Sequence, residues 1–368
     1  MIRKHHRNNL SAMKSETNKK RILVVTSRLP FVYGGNSILA QSISANLTRM
    51  GYWSDIWFTP QNRFGRQAAA YFANRLTDLG LTGTDEQIDG IISLRFPSFA
   101  VKHPYHVCWI NHCMREYYDL WDHHRTKLTS PFAVSKEHIR KWMIHKIDKY
   151  LLAHNVTKLF AQSKNIAYRL KDSVGIQCEV LYPPPRSDFS YEHGKYDDYI
   201  LSVSRLNKRK RHDLFIKSFA LLKKCQIKGI IAGDGEEYTY LKQLIEEKGL
   251  ENQVQLLGAV SVEKLNSLYS NALAVFFAPV DEDYGNVTLE AFRFGKPVIS
   301  APDSGGPLEF IHHGENGFIV DPEPQQIADI FIKLFENKSQ TRDMGTFAYE
   351  MSLEHTWENT IPRLVPSG

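Results

Sequence analysis

Residues 273–300 read LAVFFAPVDEDYGNVTLEAFRFGKPVIS, and this stretch decides the fold. Its apolar opening, 273–279, predicts a buried strand, and the amphipathic segment at 287–295 predicts a helix. The apolar run at 296–300 predicts a second buried strand. A helix that joins two apolar strands is typical of a parallel sheet covered on both faces. The polar loop before the helix then lies at the carboxyl end of the sheet, where such folds bind ligands.

The same alternation of strands and helices extends in both directions from this stretch. Further strands are predicted at 21–27, 53–59, 91–96, 106–110, 158–163, 178–182, 199–204, 227–233, 254–258 and 317–320. Pro183-Pro184-Pro185 and the polar residues after it interrupt the series, as an interdomain connection does. We therefore expect an α/β chain with two Rossmann-like, doubly wound domains that face a central cleft. The predicted segments are a basic leader (1–20), a first domain (21–186), a second domain (187–345) and a terminal helical segment returning toward the first domain (346–368).

The charge of the chain is concentrated at its amino terminus. The formal net charge of +6 comes from 46 Lys and Arg against 40 Asp and Glu, and the first 21 residues hold seven basic residues against one acid. The neutral remainder argues against a nucleic-acid-binding protein, whose basic surface extends over a folded domain. A nucleic-acid role for the leader alone stays an alternative.

Other features of the composition indicate that the protein is located in a reducing compartment. No apolar run is long enough for a secretory signal or a membrane-spanning helix, so we expect a cytoplasmic location. The four cysteines lack a paired CxxC spacing, which predicts buried, reduced thiols and neither a disulfide nor a zinc site.

The loop and helix after residue 280 carry two carboxylates with distinct positions. Glu282 falls in the loop, and Glu290 lies about one turn into the helix that Gly285 and Asn286 open. Carboxylates accept hydrogen bonds from vicinal hydroxyls, such as those of a ribose or a hexose. The free amides of residues 285–287, which include that of Val287, favour an anion or a sugar oxygen. The pattern therefore indicates a site for a ligand that carries hydroxyls and an anionic group.

This stretch resembles the paired-glutamate signature of family 4 retaining glycosyltransferases of the GT-B fold. Arg205 and Lys210, in SVSRLNKRKRHD, match the family's Arg-Leu followed by Lys, and Gly233 begins a matching Gly-Asp-Gly turn. Two later segments, at 303–309 and 314–318, also match. The resemblance covers roughly residues 200–320 and looks like that of bacterial enzymes of surface-polysaccharide synthesis.

The resemblance implies a role for each matching residue. Glu290 would bind the ribose hydroxyls, whereas Glu282 and the amides near Gly285 would bind the donor sugar. Arg205 and Lys210 would stabilise the charge that grows on the departing diphosphate, so no metal ion or other cofactor is expected.

Four further positions are weaker candidates. Gly34-Gly35 would bring backbone amides close to the diphosphate, because glycine permits close approach. His112 is similar to the family's cleft histidine, the alternative being a core or surface histidine. Arg115 is a substrate-binding candidate, or else one half of an Arg-Asp pair on a solvated helix. The backbone near Leu257 is a candidate for contacts with the base.

Two patterns leave alternatives open. Asp281-Glu-Asp283 also fits an Asp-x-Asp metal motif, since hard cations prefer clustered carboxylates. The segment 102–154 is rich in basic residues and histidine, and Ile139, Met143, Ile147 and Leu151 recur at helical spacing. It predicts either a helix packed on the sheet or a basic surface that contacts an anionic membrane or a lipid diphosphate.

The sequence thus predicts a retaining hexosyltransferase that uses a nucleotide diphosphate sugar and a glycan or lipid-linked acceptor, at most peripherally bound to the inner face of a membrane. The alternatives are a nucleotide-sugar epimerase or hydrolase of the same fold, and a binding protein without catalytic activity.

Overall fold

The computed structural model describes residues 19–28, 34–60, 66–222 and 225–366. The chain divides into two compact units. The first unit comprises residues 1–162, 166–182 and 357–368, and the second comprises residues 163–165 and 183–356. Apart from residues 163–165, the chain thus changes unit between Tyr182 and Pro183 and again before Trp357. The sequence instead places these two changes after residues 186 and 345. Nearly all of the expected basic leader lies outside the described residues.

The first unit is built on a six-stranded sheet in which every strand pair is parallel. Its strands, in the order β2-β1-β3-β4-β5-β6, are β1 Arg21–Arg28, β2 Trp53–Pro60, β3 Gly90–Ser93, β4 His106–Ile110, β5 Lys158–Ala161 and β6 Glu179–Val180. Its helices are α1 Gly35–Arg49, α2 Gln67–Arg75, α3 Trp121–Thr126, α4 Pro131–His154, α5 Lys164–Val174, which begins in the second unit, and α12 Trp357–Leu364.

The second unit is a second parallel six-stranded sheet, in the order β12-β11-β10-β7-β8-β9. Its strands are β7 Tyr199–Val203, β8 Lys228–Ala232, β9 Val254–Leu256, β10 Ala274–Phe276, β11 Val298–Ser300 and β12 Gly317–Ile319. Its helices are α6 His212–Phe219, α7 Tyr238–Glu247, α8 Val262–Asn271, α9 Asn286–Arg293, α10 Pro324–Glu336 and α11 Lys338–Ser352. This strand order is that of a dinucleotide-binding Rossmann fold, whose switch point lies between β7 and β10.

Both sheets are covered by helices because their strands are apolar on both faces. All five residues of β4 are buried, and so are all three residues of β10 and of β11. An aromatic cluster that includes Phe215, Phe219 and Phe331 joins α6 to α10 beneath the second sheet. The predicted doubly wound α/β class is therefore confirmed in both units.

The terminal helix α12 completes the core of the first unit. Trp357 meets Trp109 of β4 edge to face, with ring centroids 6.4 Å apart. The Trp109 indole donates to the carbonyl of Leu181 at 2.7 Å. Burial of two indoles stabilises the return of the chain to this unit. Among the residues placed by the structure, no helix has the length and apolar character needed to cross a membrane.

The face of helix α4 that packs against the core differs from the one that the spacing of its apolar residues predicts. Leu151 is buried as expected, but Ile139 and Met143 are exposed. The buried positions include the acids Glu137 and Asp148. Each acid accepts a hydrogen bond from a buried tyrosine, which explains how carboxylates replace the predicted apolar stripe.

Candidate functional site

The loop after β7 positions the basic run of residues 208–211. Lys208–Lys210 forms a single 3-10 turn, and Arg211 follows with φ of 54°, in the left-handed region that favours glycine. The Arg211 guanidinium donates to both Asp303 oxygens, at 2.7 and 2.5 Å. This bidentate pair stabilises a backbone conformation that an arginine rarely adopts.

Lys210 and Glu282 meet at the carboxyl ends of the neighbouring strands β7 and β10. The Lys210 ammonium lies 2.6 Å from Glu282 Oε2 and 5.1 Å from the centre of the Phe277 ring. The side chains are only 14% and 26% exposed, so water screens this ion pair weakly. The structure therefore brings these two predicted site residues into direct contact.

The backbone of the Glu282 loop is fixed by the loop after β11. The Glu282 amide donates to the Ser304 carbonyl at 2.9 Å, and the Gly306 amide donates to the Glu282 carbonyl at 2.9 Å. Gly305 has φ of 73°, and a Cβ there would lie 2.7 Å from the Glu282 carbonyl oxygen. Glycine at this position is what permits the two loops to approach each other.

Gly285 precedes α9 and sets the direction of its first turn. Its φ is 82°, and a Cβ there would lie 2.7 Å from Pro307 Cγ, so both conformation and space require glycine. Asn286 and Val287 follow as the first residues of α9, where amides have no partner within the helix. The first turn of α9 thus follows directly on the loop that holds Glu282.

Glu290 is buried within the second unit rather than open to solvent. Its Oε2 accepts a hydrogen bond from the Tyr269 hydroxyl at 3.0 Å. Burial raises the pKa of this carboxyl, while the nearby Arg186 guanidinium and the Tyr269 hydrogen bond act in the opposite direction. Tyr269 and Arg186 were missed by the sequence analysis, because neither lies near the quoted motifs.

Arg205 and Gly233 lie in two loops that pack against each other. The Arg205 side chain is exposed and makes no ion pair with any residue in the described part of the chain. Gly233 has φ of 148°, and a Cβ there would lie 1.9 Å from the Ser204 carbonyl oxygen. The turn at Gly233 therefore supports the backbone beside Arg205. Leu257 is partly exposed, and its amide donates to the Ile231 carbonyl at 2.9 Å.

His112 lies in the first unit, in the segment that follows β4. Its Nδ1 lies 2.6 Å from the Cys113 carbonyl oxygen, so Nδ1 carries a proton and Nε2 is left as an acceptor. Burial lowers the pKa of His112 to about 3, and the positive charge of Arg95 acts in the same direction. His112 is thus a neutral imidazole at physiological pH.

Arg115 is held by an ion pair in the same segment. Its Nε donates to Asp119 Oδ2 at 2.7 Å, and Arg169 Nη1 lies 3.9 Å from the same oxygen. The Arg115 side chain is only 16% exposed and lies on a 3-10 turn. The expected Arg-Asp pair is present, but it is largely buried rather than on a solvated helix.

The glycine pair of the first unit begins α1. Gly34 is extended and Gly35 is the first residue of the helix. Residues 29–33, which complete the predicted loop, lie outside the described residues. The Asn36 amide group donates to Thr26 Oγ1 at 2.6 Å and thereby ties the start of α1 to β1.

The two aspartates of the Asp-x-Asp pattern have separate partners. Asp281 Oδ1 lies 3.3 Å from the Asn165 amide nitrogen, and the backbone carbonyl of Asp283 accepts from Ser163 Oγ at 2.6 Å. Within the described ranges, no three His, Cys, Asp or Glu side chains are grouped so that they could hold a metal ion.

Part of the chain matches a known protein family. Residues 185–351 match the family described as Glycosyl transferases group 1. The Mus musculus alpha-1,3/1,6-mannosyltransferase ALG2 is 30% identical over 193 residues, which are 45% of this chain and 46% of that protein. The D-inositol 3-phosphate glycosyltransferase of Corynebacterium urealyticum is 34% identical over 126 residues, or 34% of this chain and 30% of that protein. The chain thus spans less than half the length of these relatives.

Solved structures resemble the chain over nearly its whole length. The Anabaena protein HepE, solved with UDP and glucose, superposes with a TM-score of 0.67 at 18% identity and covers 93% of this chain and 97% of its own. Sucrose-phosphate synthase from Thermosynechococcus elongatus gives 0.71 at 15% identity, with 94% and 97% covered. At such identities the likeness concerns the fold. Residues 185–351 of the second unit therefore match the group 1 glycosyltransferases, and the chain as a whole has the fold of these solved structures.

Proposed function

We propose that the chain is a retaining glycosyltransferase that moves a hexose from a nucleotide diphosphate sugar to a hydroxyl of a glycan or lipid-linked acceptor. The contact between Lys210 and Glu282 carries this proposal. It joins an ammonium group, which suits a diphosphate, to a carboxylate, which accepts hydrogen bonds from sugar hydroxyls. Its position at the β7–β10 switch point is the usual ligand position of such sheets. The ALG2 relative and the UDP and glucose bound to HepE support the donor class.

In the proposed reaction, the bond between the anomeric carbon and the phosphate oxygen breaks. Negative charge grows on that oxygen, and Arg205 and Lys210, which lie on one loop, stabilise it more in the transition state than in the ground state. The same phosphate oxygen takes the proton of the acceptor hydroxyl, while the acceptor oxygen bonds to the anomeric carbon on the face that the phosphate leaves. This front-side route needs no carboxylate nucleophile, unlike the mechanism of retaining glycosidases.

The remaining residues bind and orient the substrates. Glu282 and the amides of Asn286 and Val287 are assigned to the donor sugar. Glu290 is assigned to the ribose through Oε1, since Tyr269 bonds to Oε2. His112, which is neutral, offers Nε2 as an acceptor for a sugar hydroxyl. We assign no metal ion or cofactor, and turnover that persists in EDTA would agree with this.

A melting-shift screen with a panel of nucleotide sugars tests the donor assignment, because a ligand that binds only the native state raises stability. Product analysis with and without glycan acceptors follows for each donor that shifts the melting temperature. Lys210→Met should abolish most of the shift, whereas Lys264→Met, which removes an exposed lysine of α8, should not. Consumption of the donor without an acceptor would favour the epimerase or hydrolase. A shift without product from any acceptor would favour a binding protein.

A further inference from the structure

Helix α4 of the first unit presents an exposed face with an unusual composition. Large apolar side chains project from it, and their exposed fractions are Phe132 80%, Ile139 62%, Trp142 62%, Met143 48% and Tyr150 60%. Their spacing of three, four and seven residues places them along one side of the helix. Several large exposed apolar groups along one side of a helix are unusual in water, where such residues are normally scattered singly.

The charged side chains that α4 exposes to solvent are all basic. Its basic residues, all exposed or half-buried, are Lys136, Arg140, Lys141, Lys146 and Lys149. Its two acids, Glu137 and Asp148, are both buried. Glu137 accepts from Tyr117, and Asp148 accepts from Tyr118 at 2.7 Å and from Tyr71. The surface of α4 therefore combines apolar groups with an excess of positive charge.

The adjoining segment continues this character. His123, Arg125 and Lys127 are exposed at and after α3, alongside one exposed acid, Asp122. Lys141 of α4 lies 4.7 Å from the centre of the Trp121 ring of α3. Lys146 likewise lies 5.9 Å from the Trp142 ring centre. The Trp121 ring is buried, whereas the Trp142 ring is exposed. Lysine beside an exposed indole, as at Trp142, suits a water–lipid interface, where the ring enters the headgroup region and the ammonium meets phosphate.

We propose that the exposed face of α4, residues 132–150, docks the protein on the surface of an anionic lipid bilayer. A second copy of the chain is a poor occupant, because a twofold contact would place the same lysines opposite each other. A nucleic acid would satisfy the charges but would leave Phe132, Ile139 and Met143 without apolar partners. A bilayer surface satisfies both features, since the apolar groups enter the acyl boundary and the basic groups meet lipid phosphates.

Sedimentation of the full chain with vesicles tests this proposal. We expect binding to vesicles of phosphatidylcholine with phosphatidylglycerol, weak binding to phosphatidylcholine alone, and loss of binding as salt screens the charges. The double variant Trp142→Gln/Lys146→Glu should bind at least about tenfold more weakly, because one interfacial ring is lost and one basic charge is reversed. The second variant Ile139→Ser/Lys136→Gln should also weaken binding.

The matched control is Tyr240→Gln/Lys264→Glu, which makes the same kinds of change at exposed positions of the second unit. It should bind as the unchanged protein does. Equal losses for the control and the α4 variants, or binding that ignores the lipid charge, would overturn the proposal. So would binding of single-stranded RNA together with no vesicle binding, which would assign the face to nucleic acid. Circular dichroism verifies that each variant is folded.

Discussion

The ion pair between Lys210 and Glu282 leads to a prediction that separates ligand binding from catalysis. At 2.6 Å and an effective dielectric constant of about 20, the Coulomb attraction is roughly 6 kcal/mol before desolvation. Desolvation of two partly buried ions cancels most of it and leaves about 1 to 2 kcal/mol. A diphosphate that approaches Lys210 must compete with Glu282 for the ammonium. Removing the Glu282 charge should therefore strengthen the binding of a nucleoside diphosphate.

The variant is Glu282→Gln, which keeps the shape of the side chain. We expect it to bind the nucleoside diphosphate product about five- to thirtyfold more tightly, which corresponds to 1 to 2 kcal/mol. If Glu282 binds the donor sugar as proposed, turnover of the donor should instead fall about 10²- to 10³-fold, because a charged acceptor for the sugar hydroxyls is lost. Isothermal titration calorimetry measures the first effect, and product formation measures the second.

Two further variants complete the experiment. In a Lys210→Met background, Glu282→Gln should no longer change the affinity for the diphosphate, because the competition is removed. Asp213→Asn breaks a comparable pair on α6, where Lys217 lies 2.7 Å from Asp213, and should change neither quantity. An affinity that is unchanged or weaker in Glu282→Gln, or a gain that persists without Lys210, would refute the proposed competition.

Two other predictions concern stability. In urea denaturation, Arg211→Ala should destabilise the fold by about 1 kcal/mol more than Arg211→Gly does. Both variants lose the ion pair with Asp303, but only glycine adopts a φ of 54° without strain. Equal losses of stability would contradict backbone strain at this position. Burial lowers the pKa of Lys296 to about 7 in the folded protein. Between about pH 7 and the higher pKa of this lysine in the unfolded chain, the unfolded chain therefore binds more protons than the folded chain. The free energy of unfolding should consequently rise with pH across this range. Lys296→Met should remove that rise when melting temperatures are compared across this range, and a rise that is unchanged in the variant would assign it to other groups.

The alternation of apolar strands and amphipathic helices was enough to predict both sheets. Strands β4 and β7 begin where the pattern places them, and helix α8 has the predicted bounds, 262–271. Each of these elements has a period or an apolar run of its own, which depends on nearby residues alone. The bounds are less exact where loop residues are apolar, as for the strand predicted at 273–279 and observed as Ala274–Phe276.

The contacts that position the site depended on pairs distant in sequence. Lys210 and Glu282 are both visible in motifs, but their contact requires the adjacency of β7 and β10. Tyr269 has no motif of its own, and its hydrogen bond to Glu290 follows from the packing of α8 on α9. The ion pair between Arg211 and Asp303 likewise joins residues that are 92 positions apart. The roles of these residues in turnover stay predictions.

The buried acids of α4 have a consequence for how that helix is oriented about its own axis. Leucine and isoleucine pack in many orientations, whereas a hydroxyl that must reach one carboxylate permits few. Asp148 accepts hydrogen bonds from Tyr118 and Tyr71. These hydrogen bonds therefore restrict the rotation of the helix about its own axis more than its apolar neighbours do. An apolar residue at 148 would remove this constraint and leave the orientation of the helix to Ile144, Leu151 and Leu152, which are buried on the same side. The buried Asp148 thus helps to determine which side chains of α4 are exposed to solvent.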